Sequence, residues 1–266
     1  SNECIKMVNE MHFKSDDCVD NHEEYLDKAK IVLFDIEVFK NYFLICYKQY
    51  GSDEVNALED PTPEQIEILI QEKLVGFNNR KYDNHLVWAK MLGYDDMMCY
   101  KLSKRIMESD KEDKSCFFGT AYNLSFTDIY DYASTKQSLK KWEIQLGINH
   151  KENDIPWDKE LTEEEKAAVK EYCINDVRAT EAVFDATQDD YVARLILADL
   201  AGGIPNDTTN MLAAKLVFGD VKEPWHEFKY RNLGEPVGYD YVDEDMNAFL
   251  CENFPEMMAE RHGEAG

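Results

Sequence analysis

Four acidic residues and one tyrosine stand at spacings that could do chemistry: Asp35 and Glu37 in IVLFDIEVF, Asp83 in GFNNRKYDNHL, and Tyr172 and Asp176 in EYCINDVRAT. On a strand, side chains alternate between faces, so Asp35 and Glu37 would project from one face about 7 Å apart. On a helix, residues four apart are neighbours, so Tyr172 and Asp176 share a face as well. Carboxylates brought together in this way repel one another unless hard, oxygen-preferring cations such as Mg²⁺ or Mn²⁺ lie between them. The chemistry of such a site is phosphodiester hydrolysis, which needs an activated water, neutralised phosphate charge and a stabilised leaving alkoxide. Two divalent ions about 3.5–4 Å apart supply all three. In that scheme Asp35 bridges the two ions, Glu37 and Asp176 complete the site holding the attacking water, and Asp83 supports the second ion, partly through water. Tyr172 orients the nucleophilic water, because a phenol of ordinary pKa near 10 is a poor proton acceptor at neutral pH.

The elements around these residues predict how they are held. Residues 30–38 form a near-continuous apolar run, the pattern of a central strand buried on both faces. Asp35 and Glu37 interrupt that run, where unpaired charge is expensive. Strands over 41–47 and 54–58 follow through tight connections, which predicts an antiparallel meander of three. PEQIEILIQEKL reads as a helix with proline at its start, its apolar stripe running through Ile66, Leu69, Ile70 and Leu74. A short strand over 74–77 is expected parallel to the first, and Asp83 opens the helix HLVWAKML, where a carboxylate is electrostatically favoured. Beyond a helix over 98–107, the stretch ESDKEDKSCFFGTAYN reads as a long exposed loop. A strand over 124–129 and a short helix in SLKKWEIQLG, stopped by Gly147, come next. Thr162 with Glu165 makes a capping box that starts the long helix carrying Tyr172 and Asp176. The expected fold is α/β, a mixed five-stranded sheet flanked by helices. Residues 1–29 form an acidic arm, 30–190 the main domain, and 191–266 a helical then irregular extension.

Composition narrows the class. A hydrophobic share of 44% with 15 Tyr and 13 Phe supports a packed interior. No apolar run approaches the roughly 20 residues that span a bilayer, and the N-terminus lacks a signal-peptide pattern, so no membrane partner and a cytoplasmic location are expected. Seven cysteines, an odd number with no CxxC, disfavour a disulfide framework and a zinc site. His85 and His150 are isolated, and His12 and His22 lie in the acidic arm, which points to packing or surface roles. No phosphate loop of the GxxxxGK[ST] type and no GxGxxG turn occurs, so nucleotide-hydrolase and dehydrogenase readings have no support. The net charge of −25 opposes tight nonspecific duplex binding. Much of it lies away from the five residues: residues 1–29 hold eight acids against three lysines, and 235–266 hold nine against one arginine. Bound divalent ions would also invert the local sign seen by a phosphate.

The ordered set DxE, then Asn-x-x-Tyr-Asp, then Tyr-x-x-x-Asp resembles the three exonuclease motifs of the DEDD superfamily, over roughly residues 30–187. SLKKWEIQLG is similar to a segment these enzymes often carry between the second and third motifs, and CINDVRAT to the third motif of phage-type DNA polymerase proofreading domains. Tyr172, with Glu171 where the histidine subclass would need His, matches the tyrosine subclass. The resemblance implies a ribonuclease H-like fold, with Asp35, Glu37, Asp83 and Asp176 as ligands of two Mg²⁺ or Mn²⁺ ions and Tyr172 positioning water. It implies 3′ to 5′ exonuclease activity on a single-stranded or frayed DNA 3′ end, releasing nucleoside 5′-monophosphates, with a polymerase body of the same polypeptide as a candidate partner. Asn79 matches a residue that helps hold the strand end. Phe39 is expected to stack on the terminal base or to pack at a strand end, and Lys151 to contact phosphate, with Lys140 and Lys141 either joining it or, as a helix face favours, lying solvated. Val38 replaces the threonine of many relatives, so that hydroxyl contact is missing. An exoribonuclease of the same superfamily and a noncatalytic binding module are the alternatives.

Overall fold

The computed structural model describes residues 31–108, 115–148 and 155–219, with 248, 249 and 252. The acidic arm over 1–29, most of the stretch after Gly219, His150 and Lys151 lie outside the described residues. The chain divides into two compact units, one running to Gly219 and one from Asp220 to Gly266. The first unit carries the five residues.

Five strands, β1 (Ile31–Phe39), β2 (Tyr42–Gln49), β3 (Asn56–Glu59), β4 (Lys73–Gly76) and β5 (Thr127–Asp128), make one sheet in the order β3-β2-β1-β4-β5. β2 runs antiparallel to β1 and β3, while β4 and β5 are parallel to β1 and to one another. This is the mixed five-stranded arrangement expected from the sequence, three antiparallel strands followed by parallel ones. β1 is central because both its faces are apolar. Val32, Phe34, Ile36 and Val38 enter a core with α1 (Pro63–Leu69), α2 (Asp83–Met91) and α3 (Asp96–Glu108). Ile31, Leu33 and Phe39 enter a second core on the opposite face. That layer contains α4 (Ile129–Tyr132), α5 (Leu139–Leu146), α6 (Glu163–Ala186) and α7 (Gln188–Leu200), and α8 (Thr209–Phe218) follows.

The parity of β1 decides where the acids go. Asp35 and Glu37 share the face of Leu33 and Phe39, toward α6, with Asp35 opposite Cys46 and Glu37 opposite Leu44 in the register with β2. β1 pairs with β4 only through Leu33, so both acids lie beyond the paired stretch, at the carboxyl ends of the parallel strands. Open α/β sheets usually bind ligands at that edge. α6 delivers the remaining pair. Thr162 caps it by accepting from Glu165 N at 3.3 Å, while the Glu165 carboxylate accepts from Thr162 N at 3.0 Å.

Several boundaries differ from the sequence reading. α1 stops at Leu69, and Leu74 is fully buried in β4, because the apolar stripe belongs to two elements separated by the turn at Gln71 and Glu72. The described part of the expected exposed loop is packed: Cys116 and Ala121 are buried, and Phe118 N donates to His85 Nδ1 at 3.1 Å. Phe117 and Tyr122 meet the same imidazole edge-on, and burial lowers its pKa to about 4. β5 is two residues long because Asp128 ends it by capping α4. The boundary at 190 falls inside α7, whose Tyr191 is buried against Phe184 and Tyr132. The helices after 190 are therefore part of the same unit.

Candidate active site

Asp35 and Glu37 from β1, Asp83 at the start of α2, and Tyr172 and Asp176 from α6 act on one another as a single group. Burial, followed by the charge of Asp176, raises the pKa of Asp35 to about 8. Glu37 is held well above the usual carboxylate range by burial and then by Asp35, Asp176 and Asp83. For Asp83, which is 7% exposed, burial and then the charge of Asp35 act in the same direction. The carboxylate charges bearing on Glu37 are thus the other three acids, from three separate elements. The Tyr172 pKa is raised by burial and by Asp176, to which its hydroxyl donates a hydrogen bond, with Glu37 and Asp35 adding to the effect. That phenol keeps its proton across the physiological range.

Cys173, next to Tyr172, lies fully buried under β1, and its Sγ donates to Asp35 Oδ2 at 3.6 Å and to the Asp35 carbonyl at 3.7 Å. Burial pushes its thiol well above the ordinary range, so it is a hydrogen-bond donor and not a soft thiolate ligand. The donor set is therefore oxygen alone, from carboxylates that raise one another's pKa. This chemistry fits Mg²⁺ or Mn²⁺ and disfavours zinc. As the side chains are placed, no three His, Cys, Asp or Glu among the described residues gather around a common point closely enough to hold an ion. The acids form an electrostatic cluster without a closed coordination shell, and the fit to metal is one of donor type and position.

The loop between β4 and α2 sets Asp83. Gly76 ends β4 where a Cβ would stand 2.8 Å from Asn79 Cγ, so only glycine lets the loop fold back this closely. Asn78 has φ 57°, a left-handed conformation that asparagine tolerates. The Asp128 carboxylate then fixes the turn, accepting from Asn78 N at 2.8 Å, Arg80 N at 3.0 Å and Tyr130 N at 2.9 Å. Asn79 points inward: Nδ2 donates to Asn84 Oδ1 at 2.9 Å and Ser125 Oγ at 2.8 Å, and Asn84 Nδ2 donates to the same hydroxyl at 3.0 Å. From the far end of the unit, Asn206 Nδ2 donates to the Ser125 carbonyl at 2.6 Å.

The structure thus brings together Asp35, Glu37, Asp83, Tyr172 and Asp176, and places the residues expected to hold the strand differently. Phe39 is 2% exposed and packs in the α6-side core, the second of its two expected roles. Asn79 is 1% exposed and serves as a bracket for the loop, with Oδ1 unpartnered. Lys151 lies outside the described residues. Asp128, Asn84 and Ser125 were missed by sequence reasoning. The available signal for Asp128 was an aspartate closing the apolar SFTD segment directly before IYDY, the position of a helix cap.

The fold and site define an α/β domain with a half-buried acidic cluster at the carboxyl edge of a mixed sheet. No protein-family model, curated protein or solved structure matches this chain. Among the described residues, no helix is long and apolar enough to cross a membrane.

Proposed function

We propose that this chain is a metal-dependent 3′ to 5′ exonuclease of the tyrosine DEDD type, which removes nucleoside 5′-monophosphates from a single-stranded or frayed DNA end. The observation that carries this reading is the mutual charge repulsion of Asp35, Glu37, Asp83 and Asp176. Three elements far apart in sequence deliver four acids to one edge at a cost in stability, which only a cation or a proton relieves. Two bound Mg²⁺ or Mn²⁺ ions would supply a deprotonated water and charge neutralisation at the phosphate. The chain supplies the rest. Asp35 and Glu37 would hold the cations from β1, Asp176 from α6, and Asp83 from the start of α2, behind the loop that Asp128 fixes. Tyr172, protonated and with its O–H given to Asp176, would orient the attacking water by accepting at its hydroxyl oxygen and would not take its proton. Cys173 holds the Asp35 carboxylate in one orientation from beneath.

The test is digestion of a 5′-labelled DNA oligonucleotide with Mn²⁺ or Mg²⁺. A ladder shortening from the 3′ end and release of 5′-monophosphates are expected, with no activity in EDTA or in the Asp35→Asn, Glu37→Gln double variant. Undiminished cleavage by that variant removes the assignment. Matched RNA run in parallel separates a deoxyribonuclease from a ribonuclease, and a joined polymerase body belongs to this proposal only as far as a DNA preference is found.

A further inference from the structure

The loop that sets Asp83 is gripped from two sides, and the inner grip leads to a distant part of the chain. On the outer side the Asp128 carboxylate takes the N–H groups of Asn78 and Arg80, which lie before Asp83. On the inner side Ser125 Oγ accepts from Asn79 Nδ2 at 2.8 Å and from Asn84 Nδ2 at 3.0 Å. One hydroxyl thus holds a residue on each side of Asp83, and Asn79, Asn84 and Ser125 are all buried.

Ser125 is fixed in turn through its own peptide unit. The Phe126 N–H donates to the Leu74 carbonyl of β4 at 2.8 Å, and the Ser125 carbonyl accepts from Asn206 Nδ2 at 2.6 Å. Asn206 belongs to the turn between α7 and α8, which is itself tied down. Asp207 Oδ2 accepts from Ile204 N at 3.2 Å and from Lys215 Nζ at 3.0 Å, and the Asp207 carbonyl accepts from Arg194 Nη1 at 2.6 Å. Arg194 also donates to the Asp131 carbonyl at 3.4 Å, while the Asp131 carboxylate pairs with Arg80 of the Asp83 loop at 3.3 Å. Asn206 is 5% exposed, and its Oδ1 has no partner among the described residues. An unpaired buried acceptor is a cost that an apolar side chain of the same shape avoids, so stability alone does not favour an amide here.

We infer that Asn206 is a positioning residue for Asp83: it fixes the Ser125 peptide, Ser125 fixes Asn79 and Asn84, and these fix the start of α2. This rests on the nuclease reading only for the metal that Asp83 would help to hold. Asp35 and Glu37 lie within β1 and Asp176 within α6, so the ladder and the helix hold their backbones directly. Asp83 stands at the first residue of α2, behind an irregular loop, and depends on side chains for its place. Residues beyond 200 therefore bear on the acidic cluster as well as on the stability of the unit.

Mn²⁺ binding to the full chain, measured by calorimetry, reads the effect without any cleavage. Asn206→Ala is expected to weaken Mn²⁺ about tenfold, the lower end of what loss of a group behind a metal ligand costs. Asn206→Leu fills the same space without the donor. It should weaken Mn²⁺ equally with a Tm nearer to that of wild type, which keeps the test open if the alanine variant does not fold. Leu212→Ala opens a hole under α8, where Leu212 is fully buried, and should lower Tm with Mn²⁺ affinity unchanged. In an Asp83→Asn background, Asn206→Leu should weaken Mn²⁺ no further, because two changes that act through one residue do not add. Wild-type affinity in Asn206→Leu, an equal loss in Leu212→Ala, or an undiminished loss in the Asp83→Asn background overturns the inference. A wild-type chain that binds no Mn²⁺ removes the metal reading and this role together. If the wild-type chain binds Mn²⁺ and cuts nothing, the nuclease reading fails while the same comparison still decides the role of Asn206.

Discussion

Replacing Asp35 with asparagine should make the metal-free protein more stable while abolishing its activity. The Asp35 carboxyl rises from 3.8 in an unfolded chain to about 8 in the fold, chiefly through burial and then through Asp176. A group with a raised folded pKa binds more protons folded than unfolded between those two values, so it lowers stability as pH climbs through that window. From pH 4 to pH 7 the interval is about three units at roughly 1.4 kcal/mol each, a loss on the order of 4 kcal/mol. The amide that replaces the carboxyl has no such titration. The stability difference between Asp35→Asn and wild type, measured by urea unfolding in EDTA, should therefore grow by about 4 kcal/mol or more between pH 4 and pH 7, since the substitution also removes the charge that raises Glu37 and Asp83. For a unit of this size that corresponds to a Tm difference of about 10 °C. His85 titrates in the opposite sense: its folded pKa of about 4 lies below the unfolded 6.5, so it lowers stability as pH falls through that range. The contribution is common to both proteins and cancels in the difference. A difference independent of pH, or a variant less stable than wild type at pH 7, would refute the account of the cluster as a store of repulsion.

Mn²⁺ should raise the Tm of wild type, with about 2.7 kcal/mol gained at one hundred times the dissociation constant, and should leave the Asp35→Asn, Glu37→Gln variant unmoved; differential scanning fluorimetry reads both. Tyr172→Phe should lower kcat by about tenfold to a hundredfold with KM little changed, because it removes the group that orients water and no strand contact; steady-state kinetics on a single-stranded DNA oligonucleotide decides it, and an unchanged kcat removes that role. Asp128→Ala should cost about 3 kcal/mol, since it strips the acceptor from three backbone N–H groups at once, and urea unfolding should show the loss without a change in the cooperativity of the transition. A chain ending at 190 should be far less stable than one ending at 219, because it loses Tyr191, Val192 and the Asn206 hydrogen bond to Ser125; comparing the thermal unfolding of the two fragments tests this.

The sheet and the acidic cluster were legible in the sequence for the same reason. A strand buried on both faces has few ways to carry two acids, so the interruption of IVLFDIEVF by Asp35 and Glu37 marked both the element and its exceptional face. The capping box at Thr162 fixed the start of α6, and with it the face that carries Tyr172 and Asp176. What was not legible was long-range. Nothing local in IEILIQEKL separates the stripe of a short helix from the strand after it, because both are apolar and only the turn between them distinguishes their periods. Asn79 reads locally as a polar loop residue, and its inward aim depends on Ser125, 46 positions away. Phe39 reads equally well as a surface wedge or a core residue until α6 and α7 are placed over it.

The face shared by Asp35 and Glu37 sets how this gene can tolerate change in length. Successive strand residues point to opposite sides of a sheet. Inserting one residue between Ile31 and Asp35 would swing both acids into the layer of α1, α2 and α3 while leaving an apolar strand behind, whereas inserting two would keep them facing α6. Odd and even insertions in β1 should therefore separate loss of function from loss of the fold, a parity rule that a library of length variants can read directly.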